Sequence, residues 1–193
     1  MLAEKRWVLK EQADPEKTAR LAAELGIAPV LANLLIQRGI ETHEEAWRFF
    51  NPKLENLHDP FLMKDMYPAV KRIEQAVEKG EKIMVYGDYD VDGTTAVALV
   101  YSFLARQGHP RLTFYIPDRY TEGYGISIRG IDCAAESGVM LVIALDCGIK
   151  ATEKIEYAKT KGIDFIVCDH HLPGDAIPQA VAVLDPKRNG CSY

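Results

Sequence analysis

After Gly80 the chain alternates between short apolar runs and helical patterns, and that alternation leaves few folds open to it. The runs cover residues 82–86, 112–116, 140–145, 164–167 and 180–184. Between them, residues 94–107, 127–136 and 152–161 carry apolar side chains at helical spacing. Continuous apolar strands of this length are buried on both faces, and strands separated by helices build βαβ units. The expectation is an α/β fold, a parallel β-sheet flanked by helices. No internal repeat or low-complexity tract interrupts it.

The part before it reads as a small helical N-terminal region. Asp14-Pro15 starts a helix, with Leu21, Ala22 and Leu25 on one face and Gly26 as the stop. A second helix runs from Pro29 to Arg38 and stops at Gly39. Thr42 and Glu45 form a capping box for a third, carrying Ala46, Trp47, Phe49 and Phe50 up to Pro52. Residues 51–60 read as a loop, and residues 66–79 as an amphipathic helix with Val70, Ile73 and Val77 on its apolar face. The domains are expected at 1–64 and 65–193.

In a parallel α/β sheet the ligand crevice lies outside the carboxyl ends of the strands. Asp88-Tyr89-Asp90-Val91-Asp92-Gly93, Asp118-Arg119, Asp146 and Asp169-His170-His171 each follow an apolar run and so fall at that end. Three carboxylates in five residues repel one another and resist desolvation, which calls for a cation. The first stretch matches the opening of an EF-hand loop, but the twelfth position is Leu99 and a strand leads in, so that reading fails. A helix cap explains one or two of the acids, not three. Asp146 is either a strand-end cap or, level with the other acids, a candidate bridging ligand between two ions. One imidazole of His170-His171 can bind metal while its neighbour meets substrate, with a nearby carboxylate holding the metal-binding ring in the right tautomer. Zinc held by Cys147, Cys168 and His170 is the rival, but acid-rich surroundings favour Mn²⁺ or Mg²⁺. Arg119 and Arg188 are either forks for phosphate or solvated surface charges, and Gly123-Tyr124-Gly125 offers either a phosphate-approach loop or an ordinary turn. P-loop, serine-hydrolase and zincin signatures are missing from the sequence.

The formal net charge of −5 argues against sequence-independent duplex binding through a basic face. Two divalent ions would bring it to about −1, which leaves phosphate-bearing substrates open. Four cysteines without C-x-x-C spacing suggest reduced thiols. With no apolar run long enough for a membrane and no leader-like stretch over residues 1–7, a cytoplasmic protein is expected.

Taken together, these motifs resemble the DHH phosphoesterase superfamily, and within it the RecJ single-strand-specific exonucleases. The residues that carry the resemblance are Gly87 to Gly93, Ile116-Pro117-Asp118-Arg119 with Gly123-Tyr124-Gly125, Leu145-Asp146-Cys147-Gly148-Ile149, and Asp169-His170-His171. The helical N-terminal part, with Arg38-Gly39-Ile40 and Asp59-Pro60, extends it over nearly the whole chain. The resemblance implies a metal-dependent 5′→3′ exonuclease that hydrolyses single-stranded DNA to mononucleotides in repair and recombination. It implies a two-ion site for Mn²⁺ or Mg²⁺ held by Asp88, Asp90, Asp92, Asp146 and His170. Asp169 and His171 would complete the catalytic group, and Arg119, Gly123, Tyr124, Gly125 and Arg188 would meet the substrate. Single-strand binding protein and a helicase are implied partners, with no membrane. Members run far longer, so a further metal-ligating Asp and a glycine-rich substrate domain are expected beyond Tyr193, and the chain by itself is expected to be weakly active or inactive. Asp185 stands where the family more often has Asn. Two alternatives remain: a phosphatase for small phosphoesters or pyrophosphate, and an inactive accessory module of replication.

Overall fold

The computed structural model describes residues 6–193, so residues 1–5 of the stretch read as lacking a leader lie outside the described part. Two compact units are present, one to Leu57 and one from His58. In the first, α1 (Pro15–Leu25) is capped by Asp14, whose carboxylate accepts the amides of Glu16 and Lys17 at 2.8 and 3.0 Å. α2 (Pro29–Ile36) ends two residues before the expected Arg38, and the rest is turn. α3 (His43–Phe50) carries the expected capping box. Leu21, Ala22, Ala32, Leu35 and Ala46 form this unit's core. Of the expected apolar face of α3, only Ala46 is buried; Trp47, Phe49 and Phe50 are exposed.

The second unit is a five-stranded parallel sheet in the order β2-β1-β3-β4-β5. Its elements are α4 (Met66–Glu78), β1 (Lys82–Gly87), α5 (Val91–Arg106), β2 (Leu112–Tyr115), α6 (Ile128–Glu136), β3 (Val139–Leu145), α7 (Thr152–Thr160), β4 (Asp164–Cys168) and β5 (Ala182–Leu184). Alternate strand residues face opposite sides. Met84, Tyr86, Val142 and Ala144 pack with Ile131 of α6 and Ile155 of α7, while Ile83, Val85, Leu141 and Ile143 pack with Ala69 and Ala76 of α4 and Val97 of α5. Both faces are thus covered, as the apolar runs require. The face of α4 differs from expectation: Ala69, Ile73 and Ala76 approach the sheet and Val77 is exposed, because small side chains let the helix lie close.

This unit begins before the expected boundary at 64/65. Met63 packs on the α4–α5 side of the sheet, and the Ser192 hydroxyl donates to the Leu62 carbonyl at 3.0 Å. At the amino ends of the strands, Arg72 of α4 donates to Asp164 and Glu81, each at 2.7 Å. No single helix among the described residues is long and apolar enough to cross a membrane; α1 and α2 pass such a test only as a pair bent by 114°.

Candidate metal centre

β1 connects outward to β2 and then, through α6, back across to β3 on its other side, so the strand order reverses between β1 and β3. Such a switch point opens a crevice at the carboxyl ends of the strands. Register sets the contents of that crevice. Gly87 pairs with Leu145, Leu145 with Cys168, and Cys168 with Leu184. The next residue on each strand is an aspartate, giving a row of Asp88, Asp146, Asp169 and Asp185 across four adjacent strands. Strands lie about 4.8 Å apart, so the row sets four aspartates on neighbouring backbones at one end of the sheet.

Each member of the row is held differently. Asp88 is completely buried, and neither of its carboxylate oxygens has a hydrogen-bond partner. Asp146 has a left-handed backbone (φ 60°), which Asp tolerates better than most residues. Its Oδ1 lies 3.0 Å from Nε2 of His170. Burial, and then the charge of Asp90, push the Asp146 carboxyl up, while the two histidines pull the other way. Asp169 is also buried, but its oxygens accept the amides of Ile149, His170 and His171 and Nδ1 of His171. Burial would raise its pKa; these donors outweigh it and hold the carboxyl below the usual range. Asp185 accepts the Lys187 amide through Oδ1 and leaves Oδ2 unpartnered.

The acids after β1 continue into α5, which begins at Val91 rather than at the expected residue 94. Asp90 is its N-cap and accepts the Gly93 amide at 3.0 Å, while Asp92 lies in its first turn. Asp92, Asp146, Asp169 and His170 line one hollow of about 530 Å³. Ligand atoms of Asp146, His170 and His171 all lie within 4.8 Å of one another. Carboxylate oxygens with imidazole suit a divalent cation such as Mn²⁺ or Mg²⁺, and the orphaned Asp88 is the kind of buried charge that such a cation satisfies. That cluster holds no cysteine. The ligand atoms that lie together come from Asp146, His170 and His171 and not from Cys147 or Cys168, so the structure lends the zinc rival no support.

A second group borders the acids. Nδ1 of His171 lies 2.7 Å from Asp169, and its Nε2 lies 3.1 Å from the Tyr124 hydroxyl. Tyr124 meets Tyr89 edge to face, and the Arg119 guanidinium lies over the Tyr89 ring. Gly123 and Gly125 have φ of 80° and 77° and shape the loop on either side of Tyr124. The Gly125 carbonyl also accepts the Tyr86 hydroxyl, whereas a Cβ at Gly123 would meet only open space. Asp118 does not reach the acids; its carboxylate caps the turn through Tyr120 and Thr121. Arg188 is engaged within the fold. Its guanidinium donates to Asp65 and the Val183 carbonyl and so ties β5 to the start of α4.

Sequence reasoning missed Tyr89 and Glu122. Glu122 accepts from the Ser127 and Tyr115 hydroxyls and the Asp118 amide and so fixes the loop bearing Arg119 and Tyr124. No spacing signals those contacts; only the position of Tyr89 between two acids could have drawn notice.

The model of the DHH family, N-terminal domain, matches residues 82–192. Over its full length the chain is 42% identical to the single-stranded-DNA-specific exonuclease RecJ of Bacillus subtilis, and over 98% of its length 32% identical to that of Escherichia coli. It spans 24% and 32% of those relatives. Among solved structures, a RecJ exonuclease bound to manganese matches 69% of the chain and 34% of its own at 31% identity and a TM-score of 0.63. Thermus thermophilus RecJ in complex with Mn²⁺ matches 97% of the chain and 26% of its own at 25% identity and a TM-score of 0.66. Since the family model spans more than half of the residues, from β1 through the aspartate row, the chain belongs to the DHH family.

Proposed function

We propose that the chain is the metal-binding, N-terminal part of a 5′→3′ exonuclease that hydrolyses single-stranded DNA to mononucleotides in repair and recombination. One observation carries this reading: Asp88 is completely buried with no donor to either oxygen, in one row with Asp146 at the switch point. A carboxylate so placed is costly without a cation. The relatives' names support single-stranded DNA as substrate, and the manganese-bound neighbours support a divalent metal.

In this proposal Asp88, Asp90, Asp92, Asp146 and His170 hold two Mn²⁺ or Mg²⁺ ions. Such ions supply an activated water and neutralise the scissile phosphate. The chain's own residues do the rest. Asp169, ionised and saturated with donors, orients His171 through Nδ1 and leaves Nε2 at the Tyr124 hydroxyl. His171 then assists proton transfer to the departing 3′ oxygen, worth roughly 10²–10⁴-fold in rate. Arg119 and Tyr124 meet the phosphate, with Gly123 and Gly125 shaping their loop. A helicase and a single-strand binding protein are the partners such a reaction calls for, and the cytoplasm is its compartment.

The test is incubation of full-length protein containing this chain with Mn²⁺ and 5′-labelled single strands. Release of labelled mononucleotides, lost in Asp146→Ala, is expected. Hydrolysis of small phosphoesters without mononucleotide release, or full nuclease activity in Asp146→Ala, would overturn the proposal.

A further inference from the structure

Arg119 stands out among the cations of the second unit. It lies at the carboxyl end of the sheet, beside the acids, yet among the described residues it makes neither an ion pair nor a side-chain hydrogen bond. Its Cζ lies 4.8 Å from the centroid of the Tyr89 ring, within the range of a cation–π contact. A guanidinium set over a ring face and free of other side-chain partners keeps its N–H donors available for bidentate phosphate binding. The ring that holds it is itself held. Tyr89 meets Tyr124 at 6.2 Å and 83°, and Tyr124 meets His171 at 5.9 Å and 81°. The Tyr124 hydroxyl is 3.1 Å from Nε2 of His171. Arg119, Tyr89, Tyr124 and His171 thus form an unbroken line of ring contacts running to the Asp169 carboxylate. The loop itself is anchored from below by Glu122 and by the Asp118 cap.

We infer that Tyr89, placed by sequence between Asp88 and Asp90, is a positioning residue whose ring face holds Arg119 with its fork open for the terminal phosphate of a nucleotide. This rests on the proposed function, which assigns Arg119 to phosphate. The metal strand and the phosphate loop are thereby registered to each other through one side chain, before any substrate arrives. The hydroxyl of Tyr89 has no part in it; the ring face is what acts.

The experiment uses the 193-residue chain with Mg²⁺ and compares binding of thymidine 5′-monophosphate with that of thymidine by heteronuclear NMR. The preference for the phosphorylated ligand is expected to fall roughly tenfold in Arg119→Gln and about two- to fivefold in Tyr89→Leu, and to survive in Tyr89→Phe. In the Arg119→Gln background, Tyr89→Leu is expected to add nothing. An indirect effect through the metal ligands would instead lower the preference in that background too, and would overturn the inference. Retention of the preference in Tyr89→Leu, or its loss in Tyr89→Phe, would do the same. If Arg119→Gln keeps the preference, or the wild type has none, the assignment of Arg119 to phosphate fails and the inference with it. The arms therefore separate a failure of Tyr89 from a failure of the reading on which it rests.

Discussion

Asp88 and Asp146 stand side by side at the strand-order reversal, each the first residue beyond a paired position, Gly87 with Leu145. Their environments are opposite in kind. Asp88 has no donor at all, whereas Asp146 has His170 at 3.0 Å and is nonetheless pushed up by burial and by Asp90. Two neighbouring carboxylates, both short of positive charge, make the crevice a place where the fold sacrifices stability for a ligand.

That sacrifice is measurable. Asp88→Asn removes a buried, unpartnered carboxylate and is expected to stabilise the metal-free chain by about 1–3 kcal/mol, and to abolish the rise in melting temperature expected of the wild type with Mn²⁺. Asp185→Asn, at the far end of the row and also with an orphaned oxygen, is expected to stabilise by a similar amount but keep the Mn²⁺ response. Thermal melts with and without Mn²⁺ check both. A destabilised Asp88→Asn chain would contradict the account.

Asp169 behaves in the opposite sense. Its folded pKa is depressed by the amides and imidazole that it accepts, so its stabilisation is complete above the unfolded carboxylate value. It is lost as pH falls through the folded value. Asp169→Asn is therefore expected to cost about 2–4 kcal/mol at neutral pH, with the gap to wild type narrowing on acidification towards about pH 3. Urea unfolding at the two pH values gives the comparison, and a gap that widens in acid would refute it.

How much of this was legible beforehand depends on the range of the forces involved. The strands could be read because both faces of a parallel sheet are apolar, so the runs are continuous. The acids could be read because like charges need a cation wherever the chain puts them. The start of α5 was only half legible: a helix cap among these acids could be foreseen, but which of them caps shows only in Asp90 accepting the Gly93 amide. Arg188 looked like a phosphate fork because Asp65, far away in sequence, comes beside it only through the pairing of β4 and β5 with α4 packed alongside. Tyr89 went unread for the same reason, since Arg119 and Tyr124 reach it only through the fold, whereas the partners of Glu122 are local but follow no recognised spacing.

The opposite end of the sheet should be separable from the site. Arg72 binds Glu81 and Asp164 with only 11% of its side chain exposed. Arg72→Ala strands Glu81, itself 14% exposed, and is expected to cost about 2–4 kcal/mol, as when one partner of a largely buried pair is removed. Because the pair lies at the amino ends of the strands, Mn²⁺ affinity of the folded variant is expected to match wild type. Denaturant unfolding and metal titration together test this, and a weakened metal site would show the two ends to be coupled.

Gly93 shows how closely the metal strand and the helix after it are pressed together. A Cβ at this position would fall 2.4 Å from the Asp88 carbonyl oxygen and 2.5 Å from its amide nitrogen, both backbone atoms that cannot rotate away. Gly93→Ala must therefore lift the first turn of α5 off the exit of β1. The same movement breaks the cap in which Asp90 accepts the Gly93 amide and shifts Asp92 relative to Asp88. Overpacking of this kind costs about 1–3 kcal/mol, which leaves a folded chain in which the acids no longer share one geometry. Mn²⁺ affinity, measured by calorimetry, is expected to fall roughly tenfold or more, the loss typical when the support behind metal ligands is disturbed. Unchanged affinity in a folded Gly93→Ala chain would mean that the ions are held without the α5 acids, by Asp146 and the histidines alone.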